Sequence, residues 1–503
     1  MRPPAVLNAR RLGIDTCQEH VAYMRSDCAV CRSEGFGTRA RIELRCGARR
    51  VVATLNVVYS SLLDEGEIGL SETAWAALGA LPGQPVQLAH PAPLQSFAAV
   101  RAKIGGRPLD AAAAAGIVGD ICAGRYADID MAAFITACAG NRMDLAESIG
   151  LTRAMTAAGQ QLRWDSPVVV DKHCVGGLPG NRTTLVVVPI VAACGLLIPK
   201  TSSRAITSPA GSADVMETLA PVMLDIATMK AVVGREGGCI AWGGAVALSP
   251  ADDMLIRVER PLGLDSEGLL VASVLSKKIA AGSTHVLIDI PVGRTAKVRS
   301  PQAAATLAAR LTGVGEALGL AVATLTSDGA QPVGRGIGPA LEARDVLAVL
   351  QGDPAAPADL RQRALLLAGL VLEMGGKAGA GQGLALATTV LASGAAWAKF
   401  QAICAAQGGM RTPPRARFTH VLGVAHSGRI VAIDNGRLAQ LAKLAGAPGA
   451  PAAGIDFQVR LGDEVDAGQP LLTLHAESAG ELAYALAYAQ SQEHLVTIGQ
   501  HDL

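Results

Sequence analysis

A short stretch near the middle of the chain combines residue types that suit the binding of an anion. Residues 168–185 read Val-Val-Val-Asp-Lys-His-Cys-Val-Gly-Gly-Leu-Pro-Gly-Asn-Arg-Thr-Thr-Leu, a strand pattern that passes through glycines into a helix pattern. Glycine turns let backbone N–H groups approach a ligand, and the N-terminus of a helix favours negative charge. Lys172 adds a positive charge, and Thr183 and Thr184 add hydroxyl donors. The stretch fits an anion site and a plain strand-to-helix connection about equally well.

A second polar loop follows the next predicted strand. Residues 199–214 are crowded with serine and threonine around Arg204. Parallel strands place such loops at one edge of a sheet, where ligand sites of α/β proteins lie. Charge-assisted hydrogen bonds are about twice as strong as neutral ones, so two such loops with Lys172 and Arg204 predict a phosphate site. The alternative is a pair of solvated Ser/Thr loops.

The elements that must position these loops follow from hydrophobic patterning. Alternation at residues 41–45 and 51–58 predicts strands, and apolar spacing of three and four between residues 96 and 162 predicts a helical bundle. Short β-branched runs at Val168–Val170, Leu196–Ile198, His285–Ile290 and Leu320–Leu325, each followed by a helix pattern, predict a parallel sheet. We therefore expect an N-terminal β-rich module (residues 1–92), a helical α domain (93–165, with part of 252–282 packing on it), an α/β phosphate-binding domain (166–412) and a C-terminal α+β module (413–503).

Composition and charge exclude several classes of protein. Lys and Arg number 44 against 43 Asp and Glu, so a net charge of +1 provides no field for gathering nucleic acid. The longest apolar run, residues 185–198, contains Pro189 and is shorter than the roughly 20 residues of a bilayer span. Ten mostly isolated cysteines indicate reduced thiols. We expect a soluble cytoplasmic enzyme that binds neither nucleic acid nor membrane.

The sequence suggests no metal or cofactor. Cys28 and Cys31 have the spacing of half a zinc site, but no second paired motif completes it, so small core residues are the preferred interpretation. Neither a dinucleotide-binding fingerprint after a strand nor a P-loop occurs. No lysine follows Lys443, which argues against a carrier domain with a lipoyl or biotinyl arm at the C-terminus.

At the residues of the two loops, the sequence resembles the thymidine phosphorylase and AMP phosphorylase family, over most of residues 95–503. The motifs that carry the resemblance are Asp171-Lys-His with its Gly-Gly, Thr184, the 202–212 loop, Ser249-Pro-Ala-Asp, Ser273, Lys277, and Gln331-Pro-Val-Gly-Arg with Leu341-Glu. The long N-terminal module and residues 199–208 and 257–262 are more similar to the AMP phosphorylase branch.

The resemblance implies a fold and an activity. The fold is a nucleoside phosphorylase-like α/β fold, with a helical α domain, a larger mixed α/β domain with a parallel sheet, an extra N-terminal β-rich module and a C-terminal barrel-sandwich-like α+β module. The activity is that of a pentosyltransferase, in which inorganic phosphate cleaves a nucleoside 5′-monophosphate of the AMP type to free base and ribose 1,5-bisphosphate. The family also implies a homodimer or larger homo-oligomer.

The resemblance also implies roles for individual residues. Asp265 corresponds to the proton donor of the AMP branch, and in the pyrimidine branch His173 faces the base together with Ser273 and Lys277. Phosphate is assigned to Lys172, Cys174, Thr184, Ser202 and Ser212, and the nucleoside or nucleotide to Gly177, Ser203, Arg204, Ala205, Ile206, Thr207, Ser208, Ser273, Lys277 and Lys297.

Two departures from the family pattern bear on the substrate. Cys174 replaces a serine that contacts phosphate, and a thiol is the poorer donor. Ile256 and Glu259 replace the Tyr and Arg of pyrimidine enzymes, which favours the AMP type over thymidine. Thymidine or pyrimidine-nucleoside phosphorolysis stays the close alternative. A phosphoribosyltransferase that holds Mg²⁺ on Asp252 and Asp253, and a non-catalytic nucleotide-binding paralogue, are the alternatives of another class.

Three of the assigned residues also have plain structural interpretations. Asp265 could cap the helix that begins near Glu267. His173 could be a packed, hydrogen-bonded residue beside Lys172, and Lys297 an ordinary surface lysine.

Overall fold

A computed structural model describes residues 5–205, 208–264, 266–492 and 494–499. The chain divides into two compact units, one formed by residues up to Ala154 together with Met254–Ser266, the other by Met155–Asp253 and the residues from Glu267 onward. The finer division into four segments stays a prediction. Within the described ranges, no helix is both long and apolar enough to cross a lipid bilayer.

The N-terminal residues fold into a closed barrel of six strands. The elements are β1 (Ala5–Arg11), β2 (Val21–Arg25), α1 (Ala29–Glu34), β3 (Arg41–Cys46), β4 (Arg49–Val58), β5 (Glu67–Leu70), α2 (Glu72–Leu78) and β6 (Pro85–Ala89). The strands pair in the order β1-β5-β2-β4-β3-β6, and β6 pairs with β1 to close the ring. Alternate side chains such as Ile42 and Leu44 fill the interior, as the period of two in a strand requires.

Four helices follow the barrel, in the region where the sequence predicts a helical bundle. They are α3 (Phe97–Ile104), α4 (Ala111–Cys122), α5 (Asp128–Cys138) and α6 (Leu145–Ala158). Helix α4 starts where it does because the Asp110 carboxylate accepts a hydrogen bond from the Ala113 N–H, 2.7 Å away. Lys103 and Glu147 form an ion pair in which both side chains are almost fully buried.

The second unit begins with alternating strands and helices. These are β7 (Val170–Cys174), α7 (Thr183–Ala193), β8 (Ile198–Ser202), α8 (Ser212–Glu217), α9 (Ile226–Glu236), β9 (Gly238–Trp242), α10 (Pro250–Leu262), α11 (Glu267–Ala280), β10 (His285–Val292), α12 (Pro301–Ala317), β11 (Ala321–Asp328), β12 (Gly336–Ile337), α13 (Pro339–Leu350), α14 (Ala358–Met374), α15 (Gly383–Ala392) and α16 (Ala395–Ala406). The first turn of α10 belongs to this unit and the rest of that helix to the other.

Five strands of this unit run parallel in the order β11-β10-β7-β8-β9. Four of them, β7, β8, β10 and β11, overlap the predicted strands and continue further toward their carboxyl ends, whereas β9 was not predicted. In β7, for example, Asp171 and Lys172 extend the strand because both side chains are buried and find polar partners. Backbone pairing between β7 and β8 among the described residues is limited to the start of the strands, at Val169 and Val170 opposite Leu197.

Helix α7 lies at the centre of the hydrophobic core of the α/β domain. Each of its residues from Thr183 to Ala192 is buried, which marks a helix packed on all sides rather than an amphipathic surface helix. Helices α14, α15 and α16 pack against it, and Phe400 of α16 is fully buried in the same core. The helix that begins at the predicted phosphate site is therefore held by packing along its whole length.

The C-terminal residues form two small sheets and two helices. The elements are β13 (Phe418–Gly423), β14 (Gly428–Ile433), α17 (Asn435–Leu444), β15 (Gly454–Phe457), β16 (Glu464–Val465), β17 (Pro470–Ala476), α18 (Ala479–Ser491) and β18 (Val496–Gly499). One sheet has the order β12-β15-β17-β13 and the other β16-β14-β18. Strand β12 comes from the α/β domain, so the two domains share a sheet.

Replacing Phe400 with Ala should destabilise the protein by about 3–5 kcal/mol, because the substitution leaves a cavity where α16 packs on α7. Urea-induced unfolding of the α/β unit, followed by tryptophan fluorescence, measures the change. The control is Leu366→Ala on α14, where the side chain is 40% exposed and the expected effect is within about 1 kcal/mol. Equal losses in both variants would contradict the central position of Phe400.

Candidate active site

The topology of the parallel sheet marks one place for a ligand. From β7 the chain continues to β8 and β9 on one side and then returns to β10 and β11 on the other. The connections therefore leave in opposite directions at β7 and β10, which makes this pair a topological switch point. Ligands of open α/β sheets bind outside the carboxyl ends of the strands at such points. The loops after β7 and β10 thus frame the candidate site.

These two loops are in direct backbone contact. Gly176 and Gly177 follow β7 with φ angles of 91° and 79°, which residues with a Cβ atom rarely adopt. A Cβ at Gly177 would lie 2.4 Å from the backbone N of Lys297 in the loop after β10. Only glycine permits this approach, and it brings together two residues that the sequence assigns to nucleotide binding. The Lys297 side chain itself is exposed.

Lys172 carries a buried positive charge to the start of α7. Its Nζ donates a hydrogen bond to Thr183 Oγ1, 2.7 Å away, and only 1% of the residue is exposed. Burial lowers the pKa of Lys172, while the negative charge of the neighbouring Asp289 opposes the shift. Thr184, the second residue of the helix, is also buried. A cation, a hydroxyl and a helix N-terminus together form an arrangement that favours an anion.

Cys174 ends β7 beside Lys172. The Asn181 side-chain amide donates to Cys174 Sγ, 3.3 Å away. Burial and the negative charge of Asp289 raise the pKa of the Cys174 thiol to about 11. The sulfur is therefore a neutral thiol at neutral pH, able to offer a ligand only a weak S–H donor.

The sequence did not lead us to predict a polar network that lies next to Cys174. Asp289 lies in β10 and is fully buried, and its carboxylate accepts a hydrogen bond from Ser327 Oγ. Arg363 of α14 donates to the same hydroxyl from 3.2 Å. Asn181 Nδ2 lies 3.5 Å from the other Asp289 oxygen. A signal was present in the sequence, since Asp289 is a lone charge between isoleucines in an apolar strand.

An acidic side chain of β7 forms ion pairs with one lysine of β8 and one lysine of α11. The Asp171 carboxylate lies 2.7 Å from Lys278 Nζ of α11 and 3.5 Å from Lys200 Nζ of β8. All three residues are at most 3% exposed. Burial lowers the pKa of Lys200 well below its usual range, and the Asp171 carboxylate opposes that shift. One carboxylate thus faces two buried lysine side chains.

His173 is the next residue of β7 after Lys172. Burial first, and then the positive charges of Lys278, Lys200, Lys277 and Lys172, hold the pKa of His173 well below its usual range. The imidazole is therefore neutral at physiological pH. A neutral ring can donate or accept a hydrogen bond, but it does not store the proton that a general acid needs.

Ser273 and Lys277 lie one turn apart on α11, and both are partly exposed. Lys277 Nζ donates to Asp252 Oδ2 at 2.5 Å. Burial and the negative charge of Asp252 raise the pKa of the adjacent Asp253 to about 6. Among the described residues, no three His, Cys, Asp or Glu side chains converge as a metal site requires.

The loop after β8 differs from the expectation at Arg204. Its guanidinium pairs with Glu217 at 2.5 and 3.0 Å and with Asp214 at 3.2 Å, and it stacks over the Trp242 ring. Two carboxylates therefore already compensate its charge. Ser202 at the end of β8 is buried, and its Oγ has no hydrogen-bond partner in the described part of the chain.

The remaining predicted residues of this loop can be placed only in part. Ser203 is exposed, Ala205 and Ser208 are half-buried, and Ser212 Oγ accepts a hydrogen bond from Arg182 at 3.3 Å. Ile206, Thr207 and the predicted proton donor Asp265 lie outside the described residues. Arg182, which the sequence analysis did not single out, contacts both loops.

Three family models match the chain and define its class. They are the a/b domain of the glycosyl transferase family over residues 166–397, the helical bundle domain of the same family over residues 98–159, and the pyrimidine nucleoside phosphorylase C-terminal domain over residues 430–495. The fold thus combines a helical bundle, an α/β transferase domain and a phosphorylase-type C-terminal domain.

Relatives of nearly full length identify the family. "Putative thymidine phosphorylase 2" of Acidovorax sp. (strain JS42) is 65% identical over 495 residues, which is 98% of this chain and 96% of the relative. "Putative thymidine phosphorylase" of Polaromonas sp. (strain JS666 / ATCC BAA-500) is 63% identical over 495 residues, 98% of this chain and 97% of that protein. The chain belongs to the thymidine phosphorylase family and is a pentosyl-transferring enzyme of the nucleoside phosphorylase type.

A solved structure shares the fold at lower similarity. The crystal structure of anthranilate phosphoribosyltransferase from Thermus thermophilus superposes with a TM-score of 0.52 and 22% identity, covering 61% of this chain and 99% of that chain. At this identity the likeness concerns the fold alone.

Replacing His173 with Gln should make the stability of the protein less sensitive to acid. In the unfolded chain the ring takes up a proton below about pH 6.5, whereas in the folded protein it stays neutral to a lower pH. The unfolded state then binds more protons, so the free energy of unfolding falls as the pH decreases through this window. Thermal unfolding at about pH 7.5 and about pH 5 measures the effect.

The control for this comparison is His426→Gln, which removes an exposed imidazole. This variant should lose as much stability on acidification as the wild type. If His173→Gln also behaved like the wild type, the folded ring could not be the neutral group described here.

Proposed function

We propose that this enzyme cleaves a nucleoside 5′-monophosphate of the AMP type with inorganic phosphate, giving free base and ribose 1,5-bisphosphate. It does so without a cofactor, in the cytoplasm, as a homodimer or larger homo-oligomer. The observation that carries the proposal is the pair of cationic positions at the switch point, Lys172 at the start of α7 and Lys297 against the Gly177 turn.

The first of these positions suits the attacking phosphate. Lys172 is fixed by Thr183, and the N-terminus of α7 lies at the same place. The Ser202 hydroxyl, which has no hydrogen-bond partner among the described residues, is a further donor that a phosphate oxygen would satisfy. Buried donors are rarely left without partners, which supports a ligand at this point.

The second position suits a phosphate on the substrate. The backbone of Lys297 rests on Gly177, while its side chain is exposed and has no ion-pair partner among the described residues. A lysine in this position can pair with a 5′-phosphate on the ribose, as the AMP branch of the family implies. A nucleoside without the 5′-phosphate gains nothing from this charge.

The proposed reaction is a displacement at C1′ of the ribose. A phosphate oxygen bonds to C1′ while the C1′–N bond breaks, and the electron pair of that bond moves to the base nitrogen. The base then takes up a proton, for which Asp265 is the proposed donor. The residues around Lys172 contribute by orienting the phosphate, since a positioned nucleophile lowers the entropic part of the barrier to attack at C1′.

His173 has a different proposed role from that of an acid. Because burial and the surrounding lysines keep its ring neutral, it would hold the base or sugar through a hydrogen bond. This division of roles supports Asp265 as the source of the proton.

The second candidate is phosphorolysis of thymidine or another pyrimidine nucleoside. It is favoured by the names of the relatives and by the pyrimidine nucleoside phosphorylase C-terminal domain. Against it stand Ile256 and Glu259, which replace the Tyr and Arg that pyrimidine enzymes carry.

Phosphate-dependent release of base from AMP, CMP, UMP, adenosine, uridine and thymidine, without added metal, tests the proposal. We expect kcat/KM for a 5′-monophosphate to exceed that for its nucleoside by about tenfold or more, the value of one charge-assisted contact. Lys297→Met should remove this preference without affecting nucleosides. Faster turnover of thymidine than of any monophosphate would instead favour the second candidate.

Lys172→Ala should lower kcat/KM by at least about a hundredfold, the scale for removing one preorganised charge-stabilising donor. Steady-state phosphorolysis of the best substrate in the panel measures the loss. Lys230→Ala, which removes an exposed lysine of α9, is the matched control and should retain full activity. Near-normal turnover in Lys172→Ala would rule out the phosphate position described here.

Cys174→Ser should lower the KM for phosphate by about threefold to tenfold, because a hydroxyl is a better donor than the neutral thiol. The measurement is the dependence of the rate on phosphate concentration. Cys194→Ser, at the far end of α7, should leave this KM unchanged. An unchanged or higher KM in Cys174→Ser would mean that the residue does not contact phosphate.

A further inference from the structure

The side chain of Arg182 contacts three separate segments at the candidate site. It immediately precedes α7, and its Nε donates to Glu342 of α13. Its Nη1 donates to Ser212 Oγ at 3.3 Å, and its Nη2 donates to Ala210 O at 2.5 Å. One planar guanidinium therefore connects the start of α7 with the loop after β8 and with the first turn of α13.

The described residues of the loop after β8 (203–205 and 208–211, the second loop) form several of their hydrogen bonds with α8. Asp214 Oδ2 accepts hydrogen bonds from the backbone N–H groups of Ala205 and Gly211, at 2.7 and 2.8 Å. Arg204 adds its bonds to Asp214 and Glu217. These contacts shape the loop but do not attach it to the loop after β7. Arg182 makes that attachment through Ala210 and Ser212.

Glu342 anchors Arg182 from the opposite side. The carboxylate is 1% exposed, and its second oxygen accepts a hydrogen bond from the Gly338 N–H at 3.0 Å. Burial raises the pKa of Glu342, and the Arg182 charge opposes that shift. The carboxylate fixes the plane of the guanidinium, which leaves the two terminal nitrogens facing the second loop.

We propose that Arg182 is a positioning residue for phosphate binding. It holds Ser212, and with it the second loop, at a fixed distance from Lys172 and the start of α7, so that donors from both loops reach one phosphate. The inference rests on the proposed phosphorolysis. Arg182 does not itself contact the reacting atoms.

The guanidinium is required because it makes three hydrogen bonds in one plane. Lysine would preserve the charge opposite Glu342, but a single ammonium cannot reach Glu342, Ala210 and Ser212 with the same geometry. Arg182→Lys therefore separates the role of the connection from the role of the charge. The double variant Arg182→Met with Glu342→Gln removes the connection without leaving a lone buried charge, which would itself destabilise the fold.

Steady-state kinetics test the proposal first. Arg182→Lys and the double variant should raise the KM for phosphate by about tenfold or more and change the KM for the nucleotide or nucleoside by less than about threefold. The matched control is Glu236→Gln, which breaks the Lys399–Glu236 ion pair near the start of β9 and should change neither constant.

Limited trypsin digestion tests the same connection without relying on activity. Cleavage after Arg204 requires the second loop to leave α8, and mass spectrometry identifies the resulting peptides. In the double variant the rate of this cleavage should rise by about fivefold or more over the wild type, because cleavage follows the population of the open loop. Saturating inorganic phosphate should slow the cleavage in the wild type and much less in the variant.

The outcomes separate this inference from the proposed function. Wild-type phosphate KM and unchanged cleavage after Arg204 in a folded double variant would overturn the inference, leaving Arg182 and Glu342 as a structural ion pair. A general rise in both KM values together with faster cleavage at all sites would also contradict it, since that pattern reports loss of stability. If the wild type releases no base but the double variant is cleaved faster after Arg204, the connection stands and the proposed phosphorolysis fails.

Discussion

The burial of several lysine side chains around β7 is the constraint on which the rest of the α/β domain depends. Lys172, Lys200 and Lys278 are almost completely removed from water. Such charges are unfavourable in a protein interior unless carboxylates, hydroxyls or a ligand compensate them. Asp171 compensates two of the lysines, and Lys172 has Thr183 as its hydrogen-bond partner. In the proposed function, phosphate adds negative charge beside Lys172.

The same constraint explains how the sheet and the chemistry are connected. Backbone pairing between β7 and β8 among the described residues is limited to the start of the strands, and further along them the Asp171 carboxylate lies 3.5 Å from Lys200 Nζ. Burial, and after it the positive charges of the nearby lysines, lowers the pKa of His173 well below its usual range. In the proposed function, the α/β domain therefore binds the anion and another residue supplies the proton for the leaving base.

The parallel sheet and the first loop could be predicted from the sequence because their signals are local. Short β-branched runs followed by helix patterns identify the strands, and glycines next to Lys172 identify the turn. The lengths of the strands were underestimated, since the polar residues Asp171 and Lys172 continue β7 once tertiary partners satisfy them. Closure of the N-terminal barrel, with β1 beside β5 and β2 beside β4, depends on pairings between distant segments that no local pattern contains.

Arg204 and Arg182 show why the candidate site could be predicted only in part from the sequence. Arg204 was selected because hydroxyl residues surround it in sequence, yet Glu217 and Asp214 on the following helix engage its charge. Arg182 was not identified, because its partners Ser212 and Glu342 lie 30 and 160 positions away along the chain. Residue type identified the kind of chemistry, and only the fold showed which cation is occupied and which one connects the loops.

The closed barrel has a consequence for how this unit can meet other molecules. Among the described residues 5–89, each strand of the barrel has a neighbour on both sides, so the ring exposes no unpaired backbone edge. Recruitment by addition of a further strand is therefore not open to it. Any association through the barrel must use side chains and turns, so its specificity can change through surface substitutions that leave the barrel hydrogen bonds intact.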